Sequence, residues 1–436
     1  MIGRMLWSRA WLVFRLLVLS AILVLLVGPE WPAFGDDAYR FQTIVGRERR
    51  FDFVTWTAEA LGKKAQAALA GSHRYLPEED RRAFVLAYLE QIDAAQRLEA
   101  AIDAAFVDPT VADPVAATAE LAAERDAIRA ELAARQPLAE AIVQQQVAAL
   151  LAEEGLALSD MAWPPVMMTT SPVPYMLIVS PRDRIAQIDS AALVPGLTTD
   201  EKEVLESAVF AELDRSALVV PIGGLGIYPA MIRETASMNW LAEVTAHEWA
   251  HHWLSLHPLG VRYLDGPAMR TINETVASIV GLEMGERVIA RYYPELVPPS
   301  VETTPAPAEP DEPEEPAPPV FDFSAEMADT RATVDRLLGE GQIEAAEAYM
   351  EARRRVFVSH GYNIRKLNQA YFAFYGGYAA EPGGAAGPDP VGPLLRELRA
   401  ASPSLQAFLR DVGGITSFDD LTALHQKRTG EEPTIQ

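Results

Sequence analysis

Cysteine is absent from all 436 residues. That excludes disulfides, thiolate metal ligands, a cysteine nucleophile and a lipidated N-terminal cysteine, so stability has to come from buried surface. Positive charge is scarce too: 37 Lys and Arg stand against 61 Asp and Glu, giving a formal net charge of −24. No basic cluster occurs beyond the N-terminus and the stretch from Arg47 to Arg50, so the chain has no footprint for a nucleic-acid backbone. No repeat of 20–50 residues is visible, which argues against a solenoid or propeller. Histidine is rare, with 7 in the chain, so any clustering of histidines carries information.

Long apolar runs are missing except at the start. Arg4, Arg9 and Arg15 precede an apolar run over residues 16–27, which lengthens to 18 residues if it begins at Ala10 and tolerates Arg15. Either length reads as an export segment, with 1–35 as a signal anchor. Ala33-Phe34-Gly35 offers the alternative of a cleaved signal peptide and a secreted product. The arginines lie before the run, so the positive-inside bias places everything after about residue 36 outside the cytoplasm.

Residues 36–160 read as a helical region, Ala-, Glu-, Arg- and Gln-rich at helical spacing from about 54 to 155, with a break at 108–114, and 117–134 reads as a helical hairpin or short coiled coil. Apolar, β-rich runs at 166–170, 175–180 and 217–227, bounded by Pro and Gly, predict a small sheet, with a helix near 199–213 between them. Residues 298–320, rich in Pro, Glu and Asp, cannot build a core and read as a disordered loop. From 321 to 436 the pattern is mostly helical, broken at 381–393.

The densest chemistry lies in His247-Glu248-Trp249-Ala250-His251, with Asn273-Glu274 following. Histidines four apart project from one face of a helix, so both imidazoles can reach one tetrahedral ion at about 2.0–2.1 Å. Glu248 points about 100° around the helix from His247, which suits a general base acting on water beside the ion. At this histidine content the motif arises by chance roughly once in a hundred such chains. Trp240, Leu241, Val244, Trp249, Trp253 and Leu254 give residues 239–257 a helical apolar pattern that Pro258 and Gly260 end. A catalytic zinc ion needs a third protein ligand and an open position, and Glu274 is the best-placed carboxylate. Thr271-Ile272-Asn273-Glu274 also fits a capping box, in which Glu274 would merely tie down a helix start; Glu283 and Glu286 are the competing carboxylates.

His247-Glu248-x-x-His251 with Asn273-Glu274-Thr275-Val276-Ala277 resembles the gluzincin metallopeptidases, the thermolysin-like and related aminopeptidase families. The resemblance covers roughly residues 160–295 and implies zinc ligation by His247, His251 and Glu274, with Glu248 as base. It also implies that Gly223, Gly224, Leu225 and Gly226 form an edge strand along which a substrate backbone pairs. Residues 341–347 and 367–370 are faintly similar to predicted bacterial aminopeptidases. Two departures stand out. Ser278 occupies the position of the aspartate that orients a ligand histidine in thermolysin-like enzymes, leaving Glu243 as a candidate for that support. The G-x-M-E-N motif that holds a substrate amine is replaced by the run at 222–232, so the resemblance does not extend to exopeptidase action.

The expected protein is α+β and predominantly helical, with a small sheet packed on two zinc-binding helices (zincin-like, 161–297) and helical regions on either side. The expected activity is zinc-dependent hydrolysis of a peptide or protein. The rivals are hydrolysis of a non-peptide amide such as a cell-wall component, or a membrane-anchored structural or binding protein with a vestigial zinc site. An oxyanion donor is not singled out among His252, His257, Tyr263, Tyr292, Tyr293, His360 and the tyrosines from Tyr362 to Tyr378.

Overall fold

The computed structural model describes residues 36–107, 113–298, 321–376 and 390–430. The expected export segment 1–35, the break at 108–112, the acidic loop from 299 to 320 and most of the break at 381–393 lie outside the described residues. Among the described residues no helix is long and apolar enough to cross a membrane.

The described residues begin with α1 (Asp36–Val45) and α2 (Phe53–Ala70), the latter capped by Asp52, which accepts from the Val54 and Thr55 amides. Two long helices follow, α3 (Glu78–Val107) and α4 (Ala119–Glu153). They run antiparallel, since hydrogen bonds pair Gln146 with Glu78, Gln91 with Glu131 and Arg125 with Glu99. Residues 119–134 are therefore one arm of this pair rather than a hairpin in themselves. The second arm comes from α3, because an Ala-rich stretch with no turn residue has nothing to fold it back.

Six strands and a single helix then follow: β1 (Met168–Thr170), β2 (Tyr175–Pro181), β3 (Asp189–Leu193), α5 (Thr199–Leu213), β4 (Arg215–Pro221), β5 (Gly224–Leu225) and β6 (Ala230–Ile232). They form two three-stranded sheets instead of one. The order β3-β2-β4 is antiparallel throughout, with Tyr175 opposite Pro221 and Pro181 opposite Arg215. The order β1-β6-β5 pairs β1 parallel and β5 antiparallel to β6. The apolar run at 217–227 is thus shared. It leaves the first sheet at Pro221 and enters the second as an edge strand at Gly224. Strand β3, Asp-Ser-Ala-Ala-Leu, carries no β-branched residue, and its pairing is imposed by its neighbour β2.

Helices complete the chain: α6 (Met238–Leu254), α7 (Pro267–Tyr292), α8 (Phe323–Gly339), α9 (Ile343–Ser359), α10 (Gln369–Tyr375), α11 (Val391–Ala400), α12 (Leu405–Val412) and α13 (Phe418–Thr429). The architecture is α+β and predominantly helical. The largest core joins α3, α4, α6, α7 and α11 to α13 around Trp249, Ile272, Val276 and Phe408. The first sheet is buried on both faces. Leu177, Val179, Ala217 and Val219 face α1 and α5, while Ile178, Leu218 and Val220 face Ala370 and Phe374 of α10. Period-2 alternation buries both sets, which is why β2 and β4 read as continuous apolar runs. Helices α6 and α7 touch backbone to backbone: a Cβ at Gly285 would lie 2.8 Å from Glu243 Cα.

Candidate metal centre

Helix α6 is N-capped by Ser237, which accepts from the Trp240 amide at 3.2 Å, and is locked in the core by Trp249, whose indole donates to the Pro164 carbonyl at 2.7 Å. With that face fixed, His247 and His251 project one turn apart into a cavity of about 870 Å³ between α6, α7 and the strand segment 221–227. Helix α7 supplies Glu274. It begins at Pro267, with Gly266 as the capping residue, so Thr271 lies inside the helix and caps nothing. Both Glu274 oxygens are engaged with the site instead.

Glu274 Oε2 sits 3.7 Å from His247 Nε2 and 3.5 Å from His251 Nε2, and the two Nε2 atoms are 3.1 Å apart. Donors held at about 2.0–2.1 Å from a tetrahedral ion stand roughly 3.3 Å from one another. The observed triangle closes around that value, and these are the three groups among the described residues that could hold one metal ion. The donor set, two imidazoles and a carboxylate, suits zinc.

The tautomer is set from behind. His251 Nδ1 donates to Asn273 Oδ1 at 2.9 Å, which turns Nε2 toward the triangle as the atom that exchanges a proton for a metal. Asn273 takes the orienting task that Ser278, one turn past Glu274, cannot perform; Glu243 and Ser278 both line the cavity. Burial by itself pushes the His251 imidazole down, but the adjoining Glu274 carboxylate overrides it and lifts the group to about 9. Burial pushes Glu274 up, and here the attraction and hydrogen bonds of His251 and His247 win, holding it well below the usual carboxylate range.

Glu248 is 4 % exposed and its Oε2 has no hydrogen-bond partner. Burial raises its pKa, against the pull of His247 and His251 and with the push of Glu274. An unpartnered buried carboxylate oxygen beside three possible metal donors has a free site for a proton or a hydrogen-bond donor. Its other oxygen lies against β5, where a Cβ on Gly224 would come 2.1 Å from Oε1. The glycines at 224 and 226 thus let an edge strand lie directly on the Glu248 carboxylate and on His251, whose Cβ would be 2.9 Å from a side chain at 226. Gly223 and Leu225 line the same cavity, so the strand segment singled out in the sequence stands beside the motif helix.

The histidines left over have structural partners. His252 Nε2 donates to the Ile227 carbonyl at 2.6 Å, and burial holds the ring down at about 4, so it is neutral and pins the strand segment to α6. His257 stacks on Trp253 at 3.6 Å between centroids. His360 stacks on Phe321, away from the cavity. Tyr263 donates to Glu274 Oε1 at 2.5 Å, and Phe374 and Tyr375 of α10 form part of the cavity wall. Asn368 and Gln369 brace that wall by donating to the Ala217 and Arg182 carbonyls. The competing carboxylate Glu283 is engaged by Arg399 at 2.8 Å and, like Glu286, stands outside the ligand triangle. No protein-family model, curated protein or solved structure matches this chain.

Proposed function

We propose that the protein is a zinc-dependent peptidase of the gluzincin type, its two motif helices and edge strand packed in the zincin manner. The observation that carries the reading is the closed triangle of His247, His251 and Glu274 beside an unpartnered Glu248 oxygen. A zinc ion held there would polarise a substrate carbonyl and lower the pKa of a nearby water. Glu248 accepts a proton as water oxygen bonds to the scissile carbonyl carbon. It returns that proton to the departing amine as the C–N bond breaks. The substrate backbone lies along Gly223 to Gly226, whose strand pairs with β6 on one side and is open on the other. An extended peptide fits such an edge better than a compact amide, which favours peptide or protein substrates. With 1–35 as signal anchor, the catalytic region works outside the cytoplasm.

Glu248→Gln is the test. It should bind one zinc per chain as the wild type does while hydrolysis of a peptide library falls by about 10²–10⁴-fold. Zinc lost from this variant, or none bound by the wild type, would refute the assignment.

A further inference from the structure

We infer that Tyr263 is a positioning residue that commits Glu274 to presenting one oxygen, and only one, to the metal triangle. The inference rests on the zinc reading above but concerns a residue which that reading leaves without a task.

The two oxygens of Glu274 have different neighbours. Oε2 faces the Nε2 atoms of His247 and His251, whereas Oε1 accepts the Tyr263 hydroxyl at 2.5 Å. The direction of that bond is fixed by elementary donor counting. A carboxylate oxygen can only accept, so the phenol gives its single proton to Glu274, with the Arg270 cation nearby. Arg270 is held in turn: it donates to the Gln187 side chain and lies over the Phe374 ring, 5.4 Å from the centroid. Arg270 and Glu274 are one turn apart on α7, and Tyr263 bridges them from the connector that joins α6 to α7. Gly260 gives the connector its path, since a Cβ there would lie 2.2 Å from the Leu254 carbonyl oxygen at the end of α6.

A carboxylate with both oxygens free can clasp an ion through both and crowd its open position. Occupying Oε1 with a short, charge-assisted hydrogen bond removes that option and leaves room for water and substrate. This separates Tyr263 from an oxyanion donor, whose proton would have to be free for the substrate.

The experiment measures zinc affinity by chelator competition and ligand geometry by X-ray absorption, on the wild type and on Tyr263→Phe. The wild type should show two imidazoles and a single carboxylate oxygen. The variant should bind zinc about 10–100-fold more weakly and show a carboxylate bound through both oxygens. Wild-type protein without zinc would instead overturn the proposed function itself. Unchanged affinity and geometry in Tyr263→Phe, with or without a fall in kcat, would refute the positioning role. A carboxylate already bidentate in the wild type would do the same, and that measurement needs no variant to fold.

Discussion

At the scale of single residues, position 224 carries the sharpest prediction. A methyl group there would meet Glu248 Oε1 at 2.1 Å and the Met231 carbonyl oxygen at 3.2 Å. The Glu248 side chain is the softer neighbour and will swing aside. Gly224→Ala should therefore keep zinc and fold while losing about 10²-fold in kcat, the expected result of moving a reacting group by roughly 1 Å. A variant that loses zinc instead would place the strain on the ligands. The pairing of His247 with His251 was legible in the sequence because it depends on helical spacing, which is local, whereas Glu274 comes from a second helix and could be picked only as the best-placed carboxylate. Asn273 stood next to Glu274 without its purpose showing, for its target His251 is supplied by another helix. Tyr263 was one of several possible oxyanion donors, and its bond to Glu274 depends on the path of a connector that no periodicity encodes.

Pairs of elements answer to different signals. The helices α5 and α6 fall where capping residues and apolar spacing put them, whereas α7 starts earlier than the Thr271 capping signature suggests because Gly266-Pro267 offers a better helix start. The division of strands between two sheets was not legible, since residues 217–227 read as one continuous apolar run with no alternation to say which partner each half takes. The approach of α6 to α7 yields a test with a built-in control. Gly285→Ala must push against the Glu243 backbone, with Cα at 2.8 Å and N at 3.0 Å, and should cost about 1–3 kcal/mol in urea unfolding. Gly62→Ala, on the exposed side of α2 with nothing within 4 Å, should stabilise by about 0.4–1 kcal/mol. Equal effects from the two substitutions would show that the helix contact is looser than described.

On the scale of the whole molecule, the proposed zinc site would link metal binding to folding. With free zinc at 1,000 times its dissociation constant the native state should gain about 4.1 kcal/mol, and chelation should remove it. The increment should depend on pH. Without metal, His251 holds its proton up to about 9, so below that value zinc has to displace a proton and binds more weakly. Melting curves with and without chelator should show a larger zinc-dependent shift at pH 8 than at pH 7. A pH-independent shift would remove His251 from the ligand set. The cavity, by contrast, is assembled from residues spread between Met176 and Arg399. The three candidate donors and Glu248 lie between positions 247 and 274, but the cavity lining also includes Phe374, Tyr375, Arg399, Met176 and Ile178. Ligands so close in sequence need only a short loop to close, whereas the wall waits on distant contacts. During synthesis the three candidate metal donors emerge about a hundred residues before Phe374 and Tyr375, which finish the cleft, so on the proposed reading metal capture would precede completion of the substrate site.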